Sequence, residues 1–242
     1  MPLTTTLVGA TVAALAIAAP AVAHKGPSGP PPAKDAPTIL EAVLASANDN
    51  PVDKAGQKSP TDSNWHDTDI LREAVVALGL GEAVAGLDDA TVFAPNDRAF
   101  RRLVSDLTNT PVRELDEAEV LAAVVGIATD PDPLNGTPFT GAQALTQTVL
   151  YHVSPELIRN LRMRASGPDI ATATTLPSLV PGVAVDTIDP YRYRGRVYLG
   201  DGDPNDRDPK YTGASVQASN GAIHVINRVL RPLPFEVLFP GD

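Results

Sequence analysis

Asp97 and His152 are the first residues whose types could do chemistry together, because a carboxylate that holds an imidazole makes a general base. The same two types also make a plain buried hydrogen bond, here between a strand at Tyr151 and a helix starting near Asn96. Nucleophilic catalysis would further need an activated nucleophile, and the chain has neither a Gly-x-Ser-x-Gly elbow nor any cysteine. His224 stands alone in an apolar run, which is the setting of a satisfied core histidine. His66 lies between Trp65 and Asp67 in a loop. No His-x-x-x-His or His-Glu-x-x-His spacing occurs, so zinc hydrolase chemistry has no support. His24 would carry a free amine and an imidazole if the chain were cut before it, but it heads a Gly/Pro tail with no second histidine held nearby.

Two further groups could bind rather than react. Asp201, Asp203 and Asn205 open an acidic run that resembles a calcium loop, with metal ligation and a solvated turn as the two readings. An EF-hand loop needs glycine at its sixth position and glutamate at its twelfth; here those positions hold Asp206 and Thr212. Tyr191, Tyr193, Tyr198 and Tyr211, interleaved with Arg192, Arg194 and Arg196, form the one aromatic and basic cluster. It reads as cross-strand packing or as a contact surface for a protein or glycan, with Tyr191, Tyr193, Arg194 and Tyr198 as its centre. Asn135-Gly136-Thr137 fits a glycosylation sequon, but Pro138 follows it.

Elements must position these groups. Thr38 and Glu41 form a capping box that starts a helix with Ile39, Leu40, Val43, Leu44 and Ala47 on its stripe. Thr68 or Asp69 caps a second helix, and Ile70, Leu71, Ala74, Val75 and Leu78 recur on one face of it. Thr91 to Phe93 is a short strand, and Asn96 or Asp97 caps the helix that follows. Asp116 and Glu119 give another capping start. The run Thr148 to Val153 is β-branched and aromatic and predicts a strand. Ser154-Pro155 predicts a helix start continued by Leu157, Ile158 and Leu161. Short β runs follow at 170–175, 183–188 and 196–199. Asn220-Gly221 predicts a tight hairpin turn between a strand at 216–218 and a buried central strand. That strand carries Ile223, Val225 and Val229 on one parity, and Ile226 and Leu230 on the other, so apolar residues face both ways; Pro232 ends it. Helices first and a β-rich second half predict an α+β fold.

The chain of 242 residues carries a net charge of −10 and no cysteine. Disulfides and zinc–thiolate sites are excluded. The acidic balance argues against nucleic acid or an anionic membrane as partner. Residues 1–23 read as an export signal of bacterial, Ala-rich type, although no Lys or Arg precedes the apolar run. After cleavage no transmembrane segment is expected, and the protein is expected to be secreted, extracellular or periplasmic. Residues 24–37 form a Pro/Gly-rich linker, 38–235 a single domain, and 236–242 a tail. Loops at 48–64, 129–143 and 201–211 look like insertions.

Three stretches resemble one family in that family's order. Thr91-Val92-Phe93-Ala94-Pro95-Asn96-Asp97-Arg98-Ala99-Phe100 is similar to the first signature block of fasciclin domains. Val149-Leu150-Tyr151-His152-Val153 resembles their central Tyr-His strand. Ala218 to Pro232, with Asn220, Gly221, His224 and Val225, resembles their second block. The resemblance implies a wedge-shaped β-sandwich with helices packed against it, and a non-catalytic domain without cofactor. It favours the structural reading of Asp97 and His152. It also implies adhesion, or another extracellular interaction with a protein or glycan on a cell surface or matrix. Carriage of a small apolar ligand, a pigment or lipid, is the alternative it leaves open.

Overall fold

The computed structural model describes residues 32–46, 59–131, 139–175, 187–234 and 237. The export signal, His24, the sequon, most of the C-terminal tail and parts of the linker, of the first two loops and of the 183–188 run lie outside them.

The helices come first. α1 (Ile39–Leu44) starts at the Thr38/Glu41 capping box, and Ile39 and Val43 turn inward. α2 (Asp69–Ala77) and the short α3 (Gly81–Ala85) follow. α4 (Asp97–Thr108) is capped by the Asn96 side chain, which accepts from the Ala99 N–H. A 3₁₀ turn at Val112–Glu114 leads to α5 (Glu117–Thr129), whose Asp116/Glu119 capping box forms as expected. Their apolar stripes meet one face of a four-stranded sheet.

That sheet has the order β2-β1-β7-β6, with β1 at Ala90–Pro95, β2 at Val153–Ser154, β6 at Tyr211–Ala218 and β7 at Gly221–Ile226. β1 and β7 run parallel, from Ala90 opposite Gly221 to Pro95 opposite Ile226. A three-stranded sheet, β3 (Ile170–Ala171), β4 (Thr187–Tyr193) and β5 (Arg196–Gly200), makes the second layer. Strand alternation sends Ala90, Val92, Ala94 and Ile223 into the core under the helices. Phe93 and Ile226 point the other way, into a second core with Ile188, Val197, Leu199 and Leu230. Both faces of β1 and β7 are therefore covered, and the expected α+β architecture of helices on a two-sheet β-structure is what forms.

Three local expectations are corrected. Thr148–His152 is not a strand: α6 (Gly141–Tyr151) runs through it, started by a Thr140/Gln143 capping box, and only Val153–Ser154 pairs with β1. The tertiary slot between the two cores overrides the β preference of the run. No helix begins at Pro155. Thr91 Oγ1 donates to the Glu156 carbonyl at 2.6 Å and accepts from the Ile158 N–H at 2.7 Å, which holds that segment against β1. Asn160 then caps a single turn, α7 (Leu161–Arg164). The hairpin turn sits one residue earlier than predicted, on Ser219-Asn220, because Ala218 pairs with Gly221. Neither turn residue takes positive φ. Asn220 instead works as a clamp: its Oδ1 accepts from the Ile39 N–H at 2.8 Å and its Nδ2 donates to the Leu87 carbonyl at 2.7 Å.

Candidate functional site

The residues of the three signature blocks build the scaffold. Phe93 and Tyr151 are fully buried between the sheets, and the Tyr151 hydroxyl donates to the Thr187 carbonyl at 2.6 Å. Phe100 packs under the helices. Pro95 ends the β1–β7 ladder opposite Ile226, the Val225 carbonyl accepts from Thr212 Oγ1 at 2.9 Å, and Pro232 is buried beyond the ladder.

Asp97 and His152 do not meet. The Asp97 Oδ1 accepts from the Ile70 N–H at 3.0 Å. His152 donates from Nδ1 to the Thr148 carbonyl at 2.7 Å and accepts at Nε2 from the Leu230 N–H at 2.8 Å. It is a neutral bridge from the end of α6 to the segment after β7, and burial pulls its pKa down to about 4 against a smaller upward pull from the Thr148 carbonyl. His224 is bonded in the same manner. Its Nε2 donates to the Ile158 carbonyl at 2.6 Å, and its Nδ1 accepts from Ser215 Oγ at 2.7 Å. Burial lowers its pKa as well.

In the acidic loop the side chains are taken up internally. Asp201 accepts from the backbone N–H groups of Asp203 at 3.1 Å and Arg231 at 2.9 Å. Asp203 accepts from the Asn205 N–H at 2.9 Å and pairs with the Arg231 guanidinium at 3.2 Å. Asp206 holds Arg228 at 2.7 Å. Burial pushes the Asp201 carboxyl up to about 7 although its two N–H donors pull it down. The loop grips Arg231 and Arg228 and so ties itself to the segment after β7.

The aromatic cluster is a surface. β4 and β5 form a hairpin through Arg194-Gly195, both at positive φ (50° and 74°), as a type I′ turn requires. Ile188, Val197 and Leu199 point into the second core. The opposite parity puts Tyr191, Tyr193 and Tyr198 together on the outside. Tyr191 stacks on its cross-strand partner Tyr198 with ring centroids 5.5 Å apart, and Tyr193 meets Tyr198 edge-on at 6.4 Å. The Arg194 guanidinium lies 5.2 Å from the Tyr193 ring centre. The Tyr191 hydroxyl donates to Asp208 at 2.5 Å, and burial together with that carboxylate pushes its pKa up. Tyr193 is 54% exposed.

Beside the turn is a cleft of about 320 Å³ whose lining includes Arg162, Arg192, Arg196, Lys210 and Tyr211 and no carboxylate. Arg162 arrives from α7 and Lys210 from a bridge opposite Tyr198. Sequence reasoning missed both, because neither belongs to the Tyr/Arg run; the spaced arginines at 192 and 196 were the only visible signal.

Residues 128–232 match the family model described as the fasciclin domain. Among solved structures the chain is similar to a FAS1 domain pair from the insect cell adhesion molecule fasciclin I, at 13% identity and a TM-score of 0.37, over 69% of this chain and 46% of that one. The chain thus spans about half the length of that pair. No curated protein matches it. The Asn220 hairpin and the Tyr151-His152 segment lie inside the matched residues, so 128–232 of this chain are similar to a fasciclin domain.

Proposed function

We propose that this fasciclin-like domain is a non-catalytic, extracellular adhesion module that binds an acidic glycan on a cell surface or matrix through the β4–β5 hairpin and its cleft. Fasciclin domains are associated with extracellular interaction, and among the described residues no helix is long and apolar enough to cross a membrane. The observation that carries the choice of partner is local charge. In a chain of net charge −10, four cations line one cleft without a carboxylate among them. The exposed ring of Tyr193, beside the half-buried Tyr191 and Tyr198, offers a flat face for a sugar ring, with Arg194 next to it at the rim. The alternative, a carrier of a small apolar pigment or lipid, draws no support from this cleft, whose lining is charged.

The purified chain is expected to bind an immobilised uronic-acid polysaccharide and to ignore a neutral glucan. Binding should weaken as salt rises. Arg196→Glu combined with Lys210→Glu should reduce affinity at least about tenfold, since each variant replaces an attraction of roughly 1 kcal/mol by a repulsion, without moving the thermal midpoint. Equal retention of neutral and acidic glycans, or full retention by the double variant, would overturn the reading. Binding to an acidic protein alone would keep the surface and change the partner.

A further inference from the structure

Three helices begin with an acid at one place. Asp69 is the first residue of α2, Asp97 of α4 and Glu117 of α5, and the loop carrying Asp62 and Asp67 passes between them. One carboxylate oxygen from each of Asp62, Asp67, Asp69 and Glu117 lies within 4.8 Å of the others. A helix N-terminus carries only about half a positive charge, so three of them fall well short of these carboxylates with Asp97 added. Of the nearby cations, Arg72 is divided between Asp69 at 3.2 Å and Glu73 at 2.8 Å, and the Arg101 guanidinium lies 4.2 Å over the Trp65 ring.

A second, independent observation points into the cluster. Asp97 is fully buried, and while its Oδ1 takes the Ile70 N–H, its Oδ2 has no donor. Glu117 is 5% exposed; its Oε2 accepts from the backbone N–H groups of Asp62, at 3.0 Å, and Ser63, but its Oε1 has no donor. Asp67 Oδ1 is without one too. A proton shared by Asp97 and Asp67 would satisfy two of these oxygens and leave the Glu117 oxygen bare. A cation held by Asp67 and Glu117, with Asp97 Oδ2 protonated and donating to either of them, satisfies all three.

We propose that the cluster is a calcium site, with Asp62, Asp67, Asp69 and Glu117 as ligands and Asp97 as the buried acid behind Asp67 and Glu117. Every candidate ligand is a hard oxygen, which suits Ca²⁺ or Mg²⁺. Four carboxylates from the protein suit calcium, which takes about six to eight oxygen ligands, whereas magnesium keeps several waters and is held by one or two carboxylates. The ion would fasten the loop before α2 to the starts of α4 and α5.

Trp65, the one tryptophan of the chain, sits in the ligand loop and makes the test site-specific. The full chain, stripped with a chelator, is titrated with Tb³⁺ while Trp65 is excited, and then with Ca²⁺. Sensitised Tb³⁺ emission that Ca²⁺ displaces is expected, with a rise of several degrees in thermal midpoint at about 1 mM Ca²⁺, an extracellular level. Asp62→Asn and Asp67→Asn should each weaken Ca²⁺ binding about tenfold or more and leave the chelated protein no less stable. Absence of both emission and midpoint shift would overturn the site and leave the shared proton. A shift that survives in Asp67→Asn would overturn the ligand assignment, and an equal response to Mg²⁺ would overturn the choice of ion.

Discussion

Replacing Gly221 by alanine is expected to destabilise the protein by about 3 kcal/mol, toward the upper end of what overpacking a core costs. A Cβ at this position would stand 2.3 Å from the Ala90 carbonyl oxygen and 2.6 Å from Ile39 Cδ1. The isoleucine tip can rotate away. The carbonyl cannot, because Ala90 begins the parallel ladder with β7, and β2 holds β1 from its other side at Thr91 and Val92. The new methyl must therefore prise β1 from β7 beside Ile39 in the helix-facing core. For a chain of this size the loss corresponds to a drop of roughly 6–12 °C in thermal midpoint. Gly126→Ala is the contrast: nothing lies within 4 Å of its Cβ position, in the middle of α5. That change should be neutral or stabilising by about 0.5–1 kcal/mol. Urea unfolding of both variants checks the pair, and equal behaviour would show that the 2.3 Å approach is not what constrains Gly221.

The second large effect is the acid sensitivity of His152. In the folded protein burial holds its pKa near 4, whereas in the unfolded chain it returns to its ordinary 6.5. Between those values the unfolded chain binds the proton more tightly, so stability is fully present above pH 6.5 and is lost as the pH falls through that window. The loss at the low end approaches ~3 kcal/mol. His224, also lowered, acts in the same direction, while the raised carboxyl of Asp201 acts in the opposite one. The difference between the native chain and His152→Leu isolates one histidine. At neutral pH the variant should be less stable by about 3 kcal/mol, because the Leu230 N–H and the Thr148 carbonyl both lose a buried partner. Its stability should then fall less steeply between pH 6.5 and pH 4. Parallel pH curves for the two proteins would remove His152 as the sensor.

Much of this fold is legible in local chemistry. The capping residues Thr38, Asn96 and Asp116 act as written, and the two apolar parities of Ile223 and Ile226 announce a strand covered on both sides, although β7 ends at Ile226 and not at Pro232. The failures are equally physical. Tyr151-His152 has β-type residues, but the capping box that starts its helix, Thr140 with Gln143, lies at the edge of a stretch that reads as a loop. Pro190 disguises β4, since proline breaks a strand pattern even where the structure accepts it. The cationic cleft needs Arg162 and Lys210, which only the fold brings to Arg196. The acid cluster is hidden in another way: Asp69, Asp97 and Glu117 each look like an ordinary first-turn acid, and nothing local shows that three helices start at one point. The acidic run that did suggest calcium spends its carboxylates on Arg231 and Arg228 instead.

The parallel pairing of β1 with β7 has a consequence for how the molecule is made. The strand at the centre of the larger sheet is the last one in sequence, and it joins β1 to β6. Until it has left the ribosome, β1 has an open edge and the helix-facing core lacks Ile223 and Val229. The contacts that finish the sheet are among the most distant of the described residues, which makes for slow folding. The same delay leaves an unpaired, apolar edge for other chains to find if synthesis stops short.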